Sequence, residues 1–186
     1  MRHPHVFPFV TLALISANLL GFWLEMAAGG YPACEEFGLV PAKLVASGEV
    51  TPVFSSLFLH VPGSWAHLGG NMAFLAFFGA VAEGAGRLRF LALYLAAGVA
   101  GALLHVGVDP SSTIPLVGAS AAVFGVMALA AVQHPRLLAC VVGCASIEVW
   151  RAVTGDLDVS APAHIGGFAV GVIGAAVTKG SASCTP

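Results

Sequence analysis

A single serine, Ser120, lies in the otherwise apolar and small-residue segment Val117–Gly125. Gly118, just before it, lets the chain turn sharply, and the apolar residues that follow are typical of a helix. A serine at the start of a helix presents its hydroxyl beside free backbone N–H groups and the positive end of the helix dipole. Such groups stabilise the oxyanion that forms when a hydroxyl attacks a carbonyl carbon, so the pattern suggests a nucleophilic serine.

Three more polar side chains stand near the start of other apolar segments. His67 and Asn71 are four residues apart, so a helix places both on one face, one turn apart. Both side chains can donate hydrogen bonds to an oxyanion. His164, near the start of a later segment, is a candidate for the general base that takes the proton of Ser120.

Small residues provide a way to bring His164 close to Ser120. On a helix, His164 shares a stripe with small residues, which are Gly167, Gly171 and Gly174 or Ala175. The segment that contains Ser120 has a matching small face, which consists of Ala121, Gly125 and Ala128. Small residues let helix backbones approach closely within a membrane, so these two helices are expected to pack together.

The composition indicates what kind of elements position these residues. The 186-residue chain is 58% hydrophobic and 9% charged, with a mean hydropathy of +0.93. Soluble domains carry about 25% charged residues, so the chain is expected to be a polytopic membrane protein in a lipid bilayer. A net charge of −2 gives no support for nucleic-acid binding, and the four cysteines show neither metal-ligand spacing nor a disulfide framework.

We predict one all-α domain over residues 1–186, built from six membrane-spanning helices. Their expected bounds are residues 6–26, 65–81, 89–108, 118–133, 137–153 and 163–177. Pro135 divides the fourth span from the fifth, because proline does not continue a helix. Within the fifth span, the spacing of Glu148 and Arg151 predicts a structural ion pair. The half-apolar connection over residues 27–63 is expected to lie at the membrane interface.

Six spans place both termini on the same side of the membrane. Five of the seven Lys and Arg residues lie on that side, namely Arg2, Arg87, Arg89, Arg136 and Lys179. Lys179 is also expected to begin a polar tail. The positive-inside tendency therefore predicts cytoplasmic termini. The second, fourth and sixth spans then begin at the outer face, so Ser120, His164, His67 and Asn71 share one depth. Together they would form a serine hydrolase site that opens to the outer face.

These motifs, in this order along the chain, resemble the rhomboid family of intramembrane serine proteases. They are His67-x-x-x-Asn71, Gly118-x-Ser120 and Ala163-His164-Ile165-Gly166-Gly167-Phe168, on the second, fourth and sixth spans. The similarity runs from about Phe37 to Val177 and includes the stretch Phe54-Ser55-Ser56-Leu57-Phe58-Leu59-His60. Any one motif alone is weak evidence, whereas three in register are specific.

The resemblance implies a six-helix core, a bacterial-type plasma membrane location and cleavage of single-span or multi-span membrane proteins, without a metal or cofactor. It implies a catalytic dyad of Ser120 and His164 that lacks an acidic third member. It also implies an oxyanion site made of His67, Asn71 and the backbone N–H of Ser120. An aromatic ring at the position of Phe124 commonly stacks on the catalytic histidine in this family.

One residue departs from the family pattern, because Ala121 stands where a glycine usually follows the serine. A methyl group there could crowd the oxyanion pocket. Alanine keeps the backbone N–H and needs no unusual dihedral angles in the first turn of a helix, so we expect activity to survive.

Other functions and plainer roles compete with the protease interpretation. A serine in an apolar helix usually donates a hydrogen bond to a carbonyl one turn earlier. Asn71 alone would be read as a residue that hydrogen-bonds to a neighbouring helix. His105 and His134, at span ends, are expected at the interface, and His60 is given no role. One alternative function is a catalytically impaired rhomboid-like protein that binds membrane clients. Another is a small transporter, although the sequence suggests no inverted repeats.

Overall fold

The computed structural model describes residues 7–153 and 161–182, without the side chains of residues 148, 149, 151–153 and 177–182. The helices in this part of the chain are α1 (Phe9–Ala27), α2 (Tyr31–Phe37), α3 (Pro41–Ser47), α4 (Thr51–Ser55), α5 (Trp65–Ala82), α6 (Arg87–Val108), α7 (Ser120–Gln133), α8 (Leu138–Val153) and α9 (Ala161–Ala182). Short 3-10 turns lie at Ser56–Phe58, Glu83–Ala85 and Pro135–Leu137. Extended pairing among these residues is limited to one bridge between Leu39 and Leu116. The all-α prediction is confirmed.

Six apolar helices in the described part of the chain form a membrane bundle. Three of them, α1, α6 and the stretch Trp65–Ala85 that includes α5, are long and apolar enough to cross a membrane by length and composition. Three shorter apolar stretches complete the set, at Ser120–Gln133, Pro135–Ile147 and Ala161–Ala176. The chain is thus an integral membrane protein with apolar helices close to the predicted positions.

Several predicted helix bounds differ from the observed ones, and one predicted ion pair falls on side chains that the structure does not describe. The fourth span begins at Ser120 instead of residue 118, because Gly118 has a φ of +127°, which a helix does not accommodate. The sixth span continues past its predicted end at residue 177, since α9 reaches Ala182 and no proline interrupts it, so the polar segment predicted from Lys179 begins within this helix. The side chains of Glu148 and Arg151, like residue 6 of the first span, are outside the described part.

The helix α7 forms the centre of the bundle, with α5, α6 and α9 packed around it. Its buried positions are Ala121, Ala122, Val123, Gly125, Val126, Met127, Ala128, Leu129, Ala130 and Ala131. This nearly all-round burial explains why the helix is apolar on every side. A buried helix keeps its position by packing against its neighbours, so α7 gives the bundle a fixed central element.

The helices α7 and α9 approach so closely that backbone touches backbone. A Cβ atom at Gly167 would overlap the carbonyl of Ala121, and one at Gly171 would overlap the carbonyl of Gly125. The predicted packing of the two small faces is therefore confirmed for these positions. Substituting either glycine would force the two helices apart.

The helix α6 approaches the same pair of helices from another side. A Cβ atom at Gly101 would overlap the carbonyl of Ala163 and would lie 2.7 Å from the methyl group of Ala121. Of the two alternatives Gly174 and Ala175, Gly174 packs against Leu93 of α6, and Ala175 is buried in the core. Three helices thus meet with almost no side-chain volume between them.

The connection between α1 and α5 is mostly helical, since it contains α2, α3 and α4. It exposes large apolar side chains, among them Tyr31, Phe37, Val45, Val50 and Phe54, as expected for a segment at a membrane interface. Backbone hydrogen bonds join this connection to the loop before α7. Leu39 exchanges backbone hydrogen bonds with Leu116, and the carbonyl of Ser56 accepts the N–H of Gly118 at 2.9 Å.

A buried carboxylate joins the start of α1 to the end of α5. Glu83 accepts hydrogen bonds at 2.9 Å from the backbone N–H groups of Val10 and Thr11 and from the Thr11 hydroxyl. A carboxylate satisfies free N–H groups in a first helical turn and complements the positive end of the dipole. Glu83 therefore anchors the first helix to the bundle.

His105, expected at the interface, is instead buried, with 4% of its surface exposed. The short helix α4 packs against α6, which removes part of this helix from the surface. His134, by contrast, is exposed at the end of α7.

Candidate active site

Ser120 and His164 are brought into direct hydrogen-bond contact. Ser120 is the first residue of α7 and His164 lies in the first turn of α9. The Nε2 atom of His164 is 2.8 Å from the Oγ atom of Ser120. Although the two residues are 44 positions apart in sequence, the close approach of α7 and α9 sets this distance. A hydroxyl hydrogen-bonded to an imidazole is the arrangement that a nucleophile and its general base require.

The ring of His164 is held in a fixed plane by Phe124. The two ring centroids are 4.5 Å apart and the planes are inclined by 12°, so the rings are stacked. Phe124 lies one turn after Ser120 on α7. One helix therefore supplies both the hydroxyl and the wall that orients the imidazole.

The imidazole of His67 has its proton placed by a backbone contact. The N–H of Val61 donates a hydrogen bond of 3.3 Å to Nδ1 of His67, so Nδ1 acts as an acceptor. In neutral His67 the proton must then be on Nε2. The backbone N–H of His67 donates to the Ser64 hydroxyl at 3.3 Å, which caps α5.

Gly118 leaves open the space that lies between His67 and the serine. A Cβ atom at residue 118 would lie 3.0 Å from Nε2 of His67 and 3.7 Å from Oγ of Ser120. Both atoms thus border one small space, which a side chain would fill. An Nε2–H group at the edge of this space is suited to stabilise a negatively charged oxygen there.

The amide of Asn71 is buried and lacks a partner for its nitrogen. The side chain is 8% exposed, and Nδ2 has no hydrogen bond to any group in the described residues. An unpaired buried donor costs free energy, so it calls for an explanation such as a catalytic role or a bound molecule. Asn71 follows His67 by one turn of α5, which suits it as a second oxyanion donor.

All of these side chains border one cavity of about 770 Å³. Its polar lining includes His67, Asn71, Ser120 and His164. The rest of the wall is mostly apolar and comes from α5, α7, α8 and the loop before α7, for example Phe74, Ile147 and Pro115. The structure thus brings together all four of the polar residues that the sequence analysis singled out.

The methyl group of Ala121, which the sequence left as a possible source of crowding, lies away from the pocket. Ala121 is not among the residues that line the cavity, and its methyl group points to Gly101 of α6. The residue after the first position of a helix projects about 100° away from it. The methyl group therefore packs between helices instead of beside the serine.

Sequence reasoning missed three groups at the edge of this site. Val61 acts through its backbone N–H, which has no sequence signal. His60 packs beside His67, with ring centroids 5.2 Å apart, and is fully buried. Glu25, near the end of α1, accepts the N–H of His60 at 2.8 Å. A carboxylate within an apolar span was a possible signal, because such groups are costly there.

The described residues contain no group of three or more His, Cys, Asp or Glu side chains that could hold a metal ion. His67 and His164 approach Ser120 from different helices, and the other polar group of the site, Asn71, is an amide. The polar side chains that line the cavity in the described region include a hydroxyl, two imidazoles and an amide.

A helical membrane bundle with a serine and a histidine in contact beside hydrogen-bond donors has the features of an intramembrane hydrolase. Residues 47–180 match the model of the Rhomboid domain. This match covers most of the chain, which therefore belongs to the rhomboid family.

Two curated relatives share this family resemblance. The Rhomboid protease GluP of Bacillus subtilis (strain 168) is 35% identical over 124 residues, which cover 63% of this chain and 23% of that protein. The RHOMBOID-like protein 12, mitochondrial, of Arabidopsis thaliana is 32% identical over 165 residues, which cover 72% of this chain and 48% of that protein. The chain thus spans about a quarter of the first relative and about half of the second.

Proposed function

We propose that this protein is an intramembrane serine endopeptidase that cleaves other membrane proteins in or beside a transmembrane segment. The observation that carries the proposal is the 2.8 Å contact between Nε2 of His164 and Oγ of Ser120 at a cavity also bordered by His67 and Asn71. Membership of the rhomboid family supports it, as does the similarity to a bacterial relative that is named a protease.

The first step is acylation of Ser120. His164 with an unprotonated Nε2 accepts the hydroxyl proton while Oγ attacks the carbonyl carbon of the scissile peptide bond. The resulting tetrahedral intermediate collapses when the imidazolium gives this proton to the leaving amine. The C–N bond breaks, and the acyl group remains on Oγ. In deacylation, His164 takes a proton from a water molecule whose oxygen attacks the acyl carbon. The C–Oγ bond then breaks, the proton returns to Oγ of Ser120, and the carboxylic acid is released.

The second requirement is stabilisation of the oxyanion. The Nε2–H of His67, the amide of Asn71 and the backbone N–H of Ser120 at the start of α7 are the available donors. They are positioned before the reaction, so they lose little energy in reorganising as charge develops. Removing one such donor typically lowers kcat by about 10²–10³-fold.

The substrate must enter as an extended segment. Carbonyl groups within a regular helix are occupied by their own hydrogen bonds, so a transmembrane helix must unwind before Ser120 can attack. Segments with helix-destabilising and small residues are therefore the expected substrates. The cavity of about 770 Å³ has room for several residues and for the water that deacylation needs.

The membrane orientation follows from charge. The distribution of Lys and Arg favours cytoplasmic termini, which would open the cavity to the outer face of a bacterial-type plasma membrane. Substrates with single or several spans would reach it laterally through the bilayer. A protease-accessibility assay on tagged termini in spheroplasts tests this orientation.

The direct test is reconstitution with a model single-span substrate. The wild type is expected to cleave it. The Ser120→Ala and His164→Ala variants are expected to lose cleavage, while thermal unfolding measurements show that they remain folded. Ala121→Gly is the matched control, because it removes a group of similar size from the next residue of the same helix. A wild type that binds the substrate without cleaving it indicates the client-binding alternative, and proton or solute flux without cleavage indicates the transporter.

A further inference from the structure

Beside the site lies a buried polar cluster, made of Glu25, Cys34 and His60, that the proposed chemistry does not use. Glu25 is at the end of α1, Cys34 is in α2, and His60 is in the connection before α5. Their exposed fractions are 2%, 4% and 0%, respectively. Burying a carboxylate, a thiol and an imidazole together costs free energy unless hydrogen bonds compensate for the lost contacts with water.

The carboxylate of Glu25 holds the backbone at residue 60. Its Oε2 atom accepts the N–H of His60 at 2.8 Å, while Oε1 lies 3.3 Å from Sγ of Cys34. The same sulfur lies 3.7 Å from the carbonyl of His60. The end of α1 and the helix α2 thus clamp the peptide groups on both sides of residue 60.

The next residue along the chain carries this constraint to the active site. The N–H of Val61 donates to Nδ1 of His67 at 3.3 Å. The His60 ring also packs on the His67 ring, with centroids 5.2 Å apart and planes inclined by 59°. A continuous path of contacts therefore runs from the carboxylate of Glu25 to the imidazole of His67.

We infer that Glu25 is a positioning residue for the oxyanion donor His67, acting through the backbone of His60 and Val61. The inference rests on the proposed function, in which His67 must present Nε2–H toward Ser120. As long as Val61 N–H occupies Nδ1, the proton of neutral His67 stays on Nε2. When the clamp is lost, Val61 moves, and His67 populates the other tautomer, whose Nε2 cannot donate.

Three substitutions of Glu25 differ in whether an acceptor remains in place. Glu25→Leu removes it, and kcat is expected to fall about 10–100-fold with KM unchanged, as for the partial loss of an oxyanion donor. Glu25→Asp shortens the side chain by one methylene, which moves the acceptor away from His60, and kcat is expected to fall by less than in Glu25→Leu. The aspartate variant keeps the test informative if the leucine variant does not fold. Glu25→Gln keeps an acceptor oxygen for His60 and is expected to stay within about threefold of wild type.

The matched control is Glu83→Leu, which removes a second buried carboxylate clamp. Glu83 is 1% exposed and binds the start of α1, about 21 Å along the helix from Glu25. This variant is expected to lose thermal stability as Glu25→Leu does, but to keep its kcat. An equal fall of kcat in both leucine variants would show a general structural effect and overturn the inference.

Two measurements identify the route through His67. In a His67→Ala background, Glu25→Leu is expected to cause no further fall in kcat, and a fall of undiminished size would contradict the inference. The tautomer of His67, measured by ¹⁵N NMR of labelled imidazoles, is expected to be Nε2–H in wild type and mixed in Glu25→Leu. An unchanged tautomer overturns the positioning role. The tautomer can be measured whether or not the protein cleaves a substrate. A wild type that does not cleave, but whose His67 tautomer depends on Glu25, would therefore refute the proposed function and leave the positioning role standing.

Discussion

The ring of Phe124 lies flat against the imidazole of His164, at 4.5 Å between centroids and 12° between planes. Because Phe124 and Ser120 are one turn apart on α7, a single rigid helix determines both the position of the hydroxyl and the plane of the imidazole. The 2.8 Å contact between Ser120 and His164 therefore depends on this stack as well as on the packing of α9.

Replacing Phe124 tests this dependence. Phe124→Leu removes the stacked ring, and aromatic pairs contribute about 0.5–1.5 kcal/mol, so kcat is expected to fall roughly 2–10-fold. KM is expected to change little, because the ring orients the base. Phe124→Tyr keeps the ring and serves as the control. Steady-state cleavage in proteoliposomes measures both, and a leucine variant with wild-type kcat would count against the stack.

Gly118 is the second position where a small change is expected to have a large effect. Gly118→Ala places a Cβ 3.0 Å from His67 and forces alanine into a φ of +127°. We expect kcat to fall by about 100-fold, as for a lost oxyanion donor. Gly86→Ala is the matched control, since its φ is +116° and no atom lies within 4 Å of its added Cβ.

Gly86→Ala is expected to cost about 1–2 kcal/mol of stability from backbone strain alone, with kcat per folded molecule unchanged. Comparison of the two glycine variants separates strain from crowding of His67. Equal kcat in both would mean that the space beside Ser120 is not needed.

Ala121 is predicted to matter for packing and not for the oxyanion. Its methyl group faces Gly101, so Ala121→Gly is expected to keep kcat within about threefold and to lower Tm slightly. Ala121→Val is expected to destabilise by about 1–3 kcal/mol, because added methyl groups have no room between α6 and α7. Thermal unfolding in detergent measures stability. A large gain of kcat in Ala121→Gly would show that the methyl group does crowd the pocket.

The stability of the connection before α5 is predicted to depend on pH through His60. Burial, with a further contribution from His67, lowers the pKa of His60 to about 3 from its ordinary 6.5. Between these values the unfolded chain binds a proton that the folded chain excludes, so stability falls as pH falls, by up to about 1.4 kcal/mol per pH unit. His60→Leu lacks this effect.

The measurement is the difference in Tm between His60→Leu and wild type at pH 7 and pH 4.5. Other titrating groups act in both proteins, so a difference that grows toward acid pH is specific to His60. A difference that stays constant would mean that the buried imidazole does not titrate in this range.

The thiol of Cys34 is predicted to be unreactive in the folded protein. Burial, with the charge of Glu25 as the next cause, raises the pKa of Cys34 to about 12. Since the thiolate is the reactive form, N-ethylmaleimide at pH 8 should not label a variant that retains Cys34 alone, until SDS unfolds it. An otherwise cysteine-free Ser47→Cys variant, exposed on α3, is the control that should react at once. Rapid labelling of native Cys34 would contradict the buried clamp.

The sequence predicted those parts of the molecule that depend on local pattern. Apolar segments and Pro135 identify the helices, and the motifs around Ser120 and His164 identify the residues that meet. The spacing of His67 and Asn71 predicts a shared helix face, and both residues line the cavity. These features follow from side-chain chemistry at short range.

What the sequence did not predict depends on backbone geometry and on long-range contacts. The direction of the Ala121 methyl group follows from where α6 packs, which no local pattern specifies. The hydrogen bond from Val61 to His67 involves a backbone N–H, which every residue except proline possesses. The partnership of Glu25 with His60 joins residues 35 positions apart, through a connection whose helices were not predicted.

The close meeting of α6, α7 and α9 has a consequence for how the protein responds to its lipid environment. Because backbone contacts backbone at Gly101, Gly167 and Gly171, the spacing of these helices is set by atoms that have no alternative rotamers. A thinner or thicker bilayer can tilt the peripheral helices, but it has no soft side-chain layer to compress between these three. The distance between Ser120 and His164 should therefore be insensitive to lipid chain length, and adaptation to different membranes falls to the outer helices.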